Sequence, residues 1–157
     1  MEPRLEYSKV SPHALQAMYG LEKFVRESGL EESLLNLVRM RASQINGCAY
    51  CIDMHSKDAR ALEETEQRLY ELDAWRETPF YTDRERAALE WTEALTLVMQ
   101  AHVPDEIFQR VNQHFSEEEL VALSMAVVAI NGWNRLAIAF RAVPGIYQPR
   151  QEMKKTA

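Results

Sequence analysis

The residue types in this sequence best suited to chemistry are two cysteines and a histidine in one short run, Asn46-Gly47-Cys48-Ala49-Tyr50-Cys51-Ile52-Asp53-Met54-His55. A thiolate is the attacking form of cysteine, and a second thiol three residues away can condense with a sulfenic acid before it over-oxidises. An imidazole, with an ordinary pKa of about 6.5, can shuttle the proton. The run therefore fits thiol–disulfide chemistry with a reversible Cys48–Cys51 disulfide as its product, a scheme that requires no metal or organic cofactor. On a helix, Cys51 and His55 share a face and Cys48 lies one turn before Cys51. Gly47 allows a sharp turn out of a preceding helix, so both cysteines are expected in the first turn of the next, where free amide donors and the helix dipole favour a thiolate. At least one thiol should be acidic. Having the closer base, Cys51 is expected to attack, and Cys48 to resolve the intermediate and face the redox partner.

Two blander readings stand beside this one. Two cysteines and a histidine are three zinc ligands, but a closed structural site needs a fourth, and His13, His102 and His114 are remote with no second CxxC. The cysteines can also be small buried hydrophobes and His55 a satisfied helix histidine. A permanent staple is the weakest idea, because so small a loop would stabilise little. Tyr50, Ile52 and Met54 read as packing, the other three histidines as surface or capping residues, and Trp75, Trp91 and Trp133 as core.

The elements that would position this run are helical throughout. Ser11-Pro12 opens a helix whose stripe of Leu15, Met18, Tyr19, Leu21 and Phe24 runs to a stop at Gly29. Glu32 to Asn46 carries Leu34, Leu35, Val38, Ala42 and Ile45 at helical spacing and meets Gly47. A third helix begins at the cysteines and runs to about Leu62, and a short fourth covers Glu66 to Leu72. After a long connection through Arg76–Tyr81, Thr82 and Glu85 form a capping box for a helix to about Gln100. Pro104 opens another to about Phe115. Ser116 and Glu119 cap the most apolar helix, to Val143-Pro144, which is expected to be central. The reading is an all-α fold of six to seven helices. Leu35, Met40, Ile45, Asn46 and Gly47 recur at one offset as Leu120, Met125, Ile130, Asn131 and Gly132, which suggests an internal duplication with a helix ending in Ile-Asn-Gly in each half. The tail from Gln148 onward is polar and expected to fray.

With 157 residues, 46% of them hydrophobic, the chain has the apolar content for one core, so residues 1–157 are expected to form a single domain with its core at about 11–143. A net charge of −6 argues against nucleic acid, since phosphate recognition needs a basic stripe and Arg39 with Arg41 is the nearest approach to one. The longest apolar run, Leu120 to Ile130, is about half of the roughly 20 residues needed to span a bilayer. The first residues lack the apolar stretch of a secretory signal. No membrane partner is expected, and a cytoplasmic location is.

The run from Leu37-Val38-Arg39-Met40-Arg41-Ala42-Ser43-Gln44-Ile45 through the cysteines to His55 resembles the core of the alkylhydroperoxidase D-like members of the carboxymuconolactone decarboxylase family. Arg84 to Thr96 is also similar to the wider family. The resemblance implies an all-helical fold, a homo-oligomer that is often a trimer or hexamer, and antioxidant peroxide reduction through the CxxC with electrons from a dithiol, thioredoxin-like or lipoyl-type partner. Where the family's peroxidase pattern has a glutamate twelve residues before the first cysteine, this sequence has Asn36, and Tyr50 replaces a second histidine found in some members. Glu93, or less readily Glu90, is therefore expected to supply the carboxylate to His55; Glu93 can equally be a structural acid. Two further functions stay open. One is decarboxylase-like acid–base chemistry on a small lactone acid, which has no use for a CxxC; the other is a redox-sensing module whose disulfide alters an oligomer interface without turnover.

Overall fold

A computed structural model of the chain describes residues 1–149. The fold is all-α, with nine helices and no strand among the described residues. The polar tail lies almost wholly outside those residues. In chain order the helices are α1 (Tyr7–Val10), α2 (Pro12–Glu27), α3 (Glu32–Asn46), α4 (Ala49–Ala61), α5 (Glu66–Tyr70), α6 (Asp83–Thr96), α7 (Val98–Ala101), α8 (Asp105–Val111) and α9 (Glu117–Phe140), with one 3-10 turn at Leu72–Ala74. Both capping boxes read from the sequence are present, Thr82 with Glu85 at α6 and Ser116 with Glu119 at α9. In each, the hydroxyl accepts from an orphan amide while the glutamate accepts from the cap residue's own N–H.

The most enclosed helix is α3, not the more apolar α9. From Leu34 to Ser43 every residue of α3 except Arg41 is buried, because α4, α6 and α9 all pack against it. Its two arginines tolerate this by pairing. Arg39 reaches Glu32 at 2.7 Å and Glu22 at 3.4 Å, and Arg41 donates to Glu93 at 2.8 Å. By length and hydropathy α9 would qualify to cross a membrane, but Leu123, Val127 and Ile130 are buried against the other helices. Its apolarity is that of a core helix on one side, and Val121 and Val128 are left facing outward.

The helix ends show where local rules compete. Four-residue α1 was not anticipated, and α6 stops at Thr96 rather than near Gln100, with α7 following after Leu97. Instead of reaching Val143, α9 ends at Phe140, where Arg141 turns into the left-handed region. Pro104 does open α8, but that helix closes at Val111, short of Phe115.

The repeated Ile-Asn-Gly behaves differently in its two places, contrary to the expectation that both copies end a helix. Gly47, at φ 66°, closes α3 in a Schellman turn: its N–H reaches the Gln44 carbonyl at 3.1 Å and the Cys48 N–H reaches that of Ser43 at 3.0 Å. Gly132 lies inside α9, which runs through it without a break. The reason for a glycine there is packing. A Cβ at Gly132 would come 3.0 Å from the Met18 Cε of α2.

The two glycines should therefore respond differently to alanine. Gly47→Ala forces a Cβ into the left-handed region and should cost about 1–2 kcal/mol, a fall in Tm of roughly 3–6 °C. Gly132→Ala gains up to about 1 kcal/mol of helix propensity and displaces only the flexible end of Met18, so its Tm should stay within about 3 °C of wild type. Thermal melts of the two variants check this, and equal losses would show that Met18 cannot give way and that the close approach at Gly132 is rigid.

Candidate functional site

Because Gly47 reverses the chain, α4 folds back along α3 and Cys48 becomes the N-cap of α4, with Cys51 in its first turn. Only Cys51 is thus inside the first turn where both were expected. Each sulfur-bearing side chain is 1% exposed and reduced, and both sit in a cluster with Ala42 of α3 and Ile130 and Ala137 of α9. His55, one turn beyond Cys51, is also buried. The structure thus keeps the two thiols and the imidazole on one enclosed stretch of α4.

The two thiols are not equivalent. The neighbouring Cys51 thiol, acting as a donor, lowers Cys48 to about 7 against the opposing effect of burial; the nearby backbone amides of Cys51 and Tyr50 and the side chain of Asn134 act in the same direction. Cys51 is pushed up for the complementary reason, first by its proximity to the Cys48 sulfur and then by burial. The expectation of one acidic thiol holds, but the charge settles on Cys48 rather than on the residue nearer the histidine.

His55 is held neutral. Burial, reinforced by the Arg39 guanidinium, lowers it to about 3. Among the described residues its Nδ1 has no hydrogen-bond partner, and the carboxylate facing it, Asp58 Oδ2, stands 3.8 Å away. Burial raises Asp58, whose other oxygen accepts from the Tyr147 hydroxyl at 2.6 Å. Lys57 and Asp53 clamp the same C-terminal segment to α4: Lys57 Nζ donates to the Tyr147 carbonyl at 3.1 Å, and Asp53 Oδ2 accepts from the Gly145 N–H at 2.9 Å. Asn36 Nδ2, on the α3 side of the hairpin, is a second buried polar atom without a partner among the described residues. Asn36 lines an open cavity of about 250 Å³ together with Ser33, Leu37, Ala59 and Leu62.

Glu93 is not brought to His55. Its carboxylate accepts from Arg41 Nε at 2.8 Å, Trp75 Nε1 at 2.8 Å and Arg76 Nη1 at 2.5 Å. Burial alone would raise Glu93, but these three donors together hold it below the ordinary carboxylate range. Glu90, the other candidate, pairs with Arg110 on α8. No three His, Cys, Asp or Glu side chains among the described residues are grouped as metal ligands would be. The residues that sequence reasoning missed are Ser43, Asp58 and Asn134. The signal within reach was polarity: Asn131 and Asn134 interrupt the most apolar helix of the chain on its buried face.

This all-helical hairpin carrying a CxxC and a helical histidine defines the class, and the comparisons agree: residues 12–94 match the model of the carboxymuconolactone decarboxylase family, and the chain belongs to that family as an alkylhydroperoxidase D-like member. Among its relatives, the uncharacterized protein YdfG of Bacillus subtilis is 45% identical over 139 residues, spanning 88% of this chain and 95% of that one. The crystal structure of ATU0492 from Agrobacterium tumefaciens, a protein of unknown function suggested to be the antioxidant defence protein AhpD, superposes with a TM-score of 0.90 at 43% identity over 93% of this chain and all of that one. The debrominase Bmp8 shares the fold at a TM-score of 0.78 and 23% identity, covering 88% of this chain and 74% of that one.

The Glu93 cluster should behave as structure. Glu93→Gln should cost about 2 kcal/mol at neutral pH by removing the charge from three hydrogen bonds. A carboxylate held low in the folded state contributes stability above its unfolded pKa and loses it as pH falls through the folded one. The Tm gap between variant and wild type should accordingly close below about pH 4, while the reactivity of the thiols stays unchanged. A drop in thiol reactivity with an unchanged Tm would restore Glu93 to the relay.

Proposed function

We propose that this protein is a thiol peroxidase that reduces small organic hydroperoxides through a Cys48–Cys51 disulfide, in keeping with the antioxidant role suggested for its Agrobacterium relative. The observation that carries the reading is the enclosed sulfur pair at the start of α4 with a buried histidine one turn further on, and its electrostatics lower Cys48, raise Cys51 and hold the imidazole neutral. Both members of a dithiol cycle are thus present in the protonation states it needs.

The electrostatics favour an order of events opposite to the one read from the sequence. Cys48 as thiolate attacks the terminal peroxide oxygen; the S–O bond forms as the O–O bond breaks, and the alkoxide leaves as the alcohol after taking a proton. Cys51 then displaces the hydroxyl of the Cys48 sulfenic acid, so the disulfide forms and water leaves. In this second step the proton of Cys51 passes to the departing hydroxyl, and neutral His55, four residues beyond Cys51 on the same face, is the side chain placed to relay it without holding a positive charge. An external dithiol, of the thioredoxin or lipoyl kind, returns two electrons by exchange through a mixed disulfide. The outward-facing Val121 and Val128 of α9 favour assembly with further copies of the chain.

The test is consumption of an organic hydroperoxide by dithiol-reduced protein, with free thiols counted alongside. Wild type should turn over, with a rate that climbs through neutral pH as Cys48 ionises and then levels. Cys48→Ser should be inactive, Cys51→Ser should consume about one equivalent before over-oxidising, and His55→Gln should turn over roughly 100-fold more slowly. An inactive Cys51→Ser with a single-turnover Cys48→Ser would restore the other order of attack. Thiols that oxidise without turnover would favour a sensing module, and thiols that stay reduced with no peroxide lost would sink the peroxidase reading.

A further inference from the structure

Opposite the two sulfurs, α9 presents Asn134, an amide with no exposed surface, between Ile130 and Ala137. An amide can offer its oxygen or its two N–H donors to a neighbour, and which of them faces the sulfurs decides whether it favours or opposes a thiolate. The groups at the far end of its hydrogen-bond chain determine which. The Val127 carbonyl can only accept and the Arg135 guanidinium can only donate. Asn131 lies between them, giving its Nδ2 to Val127 O at 3.0 Å and receiving Arg135 Nη1 on its Oδ1 at 3.0 Å. Its oxygen therefore also faces Asn46, which must answer with its NH2 group: Asn46 Nδ2 donates to Asn131 Oδ1 at 3.0 Å and to Asn134 Oδ1 at 2.8 Å. With its oxygen so occupied, Asn134 turns its own NH2 the other way. One hydrogen goes to Ser43 Oγ at 3.1 Å, and the other is free to point at sulfur.

We propose that Asn134 is a positioning residue for the CxxC, an amide locked donor-side inward by the chain from Arg135 and Val127 through Asn131 and Asn46, which hydrogen-bonds the Cys48 sulfur and holds it as the thiolate. The proposal rests on the thiol chemistry of the preceding section and adds the group that prepares it. Asn134 lies on the face of α9 whose Ile130 and Ala137 pack against both cysteines, and it acts on each sulfur in the direction a donor must. The arrangement also gives the second copy of the repeated motif a task. Asn131, the counterpart of Asn46, holds no cysteine of its own but fixes the orientation of the amide that serves the first copy's pair.

The experiment is a pH titration of the ultraviolet thiolate absorbance of the reduced full-length protein, with a Cys48→Ser/Cys51→Ser double variant subtracted as the tyrosine background. Asn134→Asp keeps the shape and the acceptor for Asn46 but faces the sulfurs with oxygen. Asn131→Leu touches neither sulfur and instead frees Asn46, and with it Asn134, to turn over. Asn134→Asp should raise the thiolate midpoint by about one unit or more, a roughly tenfold change in the ionisation equilibrium, and Asn131→Leu should move it the same way by less. A carboxylate at position 134 also raises the midpoint by its charge, so Asn131→Leu is the deciding variant: a role in packing alone would lower its Tm and leave its midpoint in place, and that result would overturn the proposal. If Asn134→Asp does not fold, the half-buried Asn131→Leu decides by itself, and an unmoved midpoint there rejects the locked chain. Because the titration uses neither peroxide nor reductant, a protein that lacks peroxidase turnover yet shows these shifts would refute the peroxidase reading and leave Asn134 in its role.

Discussion

The polar seam between α3 and α9 is the constraint on which the rest of this structure depends. An amide buried without partners costs about 1–3 kcal/mol, and Ser43 and Asn134 are both fully enclosed. They are tolerated because Asn46 bonds Asn131 and Asn134 together while Asn134 bonds Ser43. Asn131 and Asn134 lie three residues apart on one face of α9, and Asn46 and Ser43 three apart on α3. Matching these pairs fixes both the rotation of each helix and their offset along the axis, which apolar packing alone would leave to slide. With α3 and α9 in register, the Gly47 turn can lay α4 back only where Cys48 and Cys51 meet Ile130 and Ala137.

The seam also joins the two occurrences of the Ile-Asn-Gly motif: Asn46 at the end of α3 hydrogen-bonds Asn131 inside α9. Their glycines serve different ends. Gly47 supplies a left-handed turn that ends a helix, whereas Gly132 supplies the absence of a side chain where Met18 of α2 crosses α9. One three-residue phrase thus has two physical meanings, decided by the residues next in the chain: Cys48 caps a new helix, while Trp133 to Phe140 continue the old one.

That difference marks how much was legible beforehand. Helix content, the two capping boxes, the Gly47 stop and the stretch from Cys48 to His55 arise from local chemistry, and local chemistry is what a sequence displays. The ends of α6 and α9 and the existence of α1 depend on tertiary contacts instead; α1 is docked in part by Tyr7 against Phe140. The polarity of the site was hidden for the same reason. Nothing in the spacing of Cys48 and Cys51 says which sulfur donates to the other, and nothing near Glu93 in the chain announces that Arg41, Trp75 and Arg76 converge on it. Asn134 was visible only as a polar residue out of place in an apolar helix. The significance of such a residue lies in its partners, which come from a helix some ninety residues away.

The commitments of the acids then bear on where a proton from His55 can go. Glu93 is spent on three donors, Glu90 on Arg110, and the family's usual glutamate position is occupied by Asn36, which cannot take up a proton at neutral pH. Asp58 is the carboxylate within 4 Å of the imidazole, and burial already raises its affinity for a proton. Tyr147 joins that carboxylate to the segment that Asp53 and Lys57 hold against α4. A 3.8 Å gap is too long for direct transfer but is closed by a small rotation of either side chain or by a single water. Under the proposed thiol chemistry, a proton relayed by His55 therefore leaves along α4 toward Asp58 and the C-terminal segment rather than across the core to Glu93 on α6, and because burial keeps the imidazole neutral it must pass that proton on as it receives it.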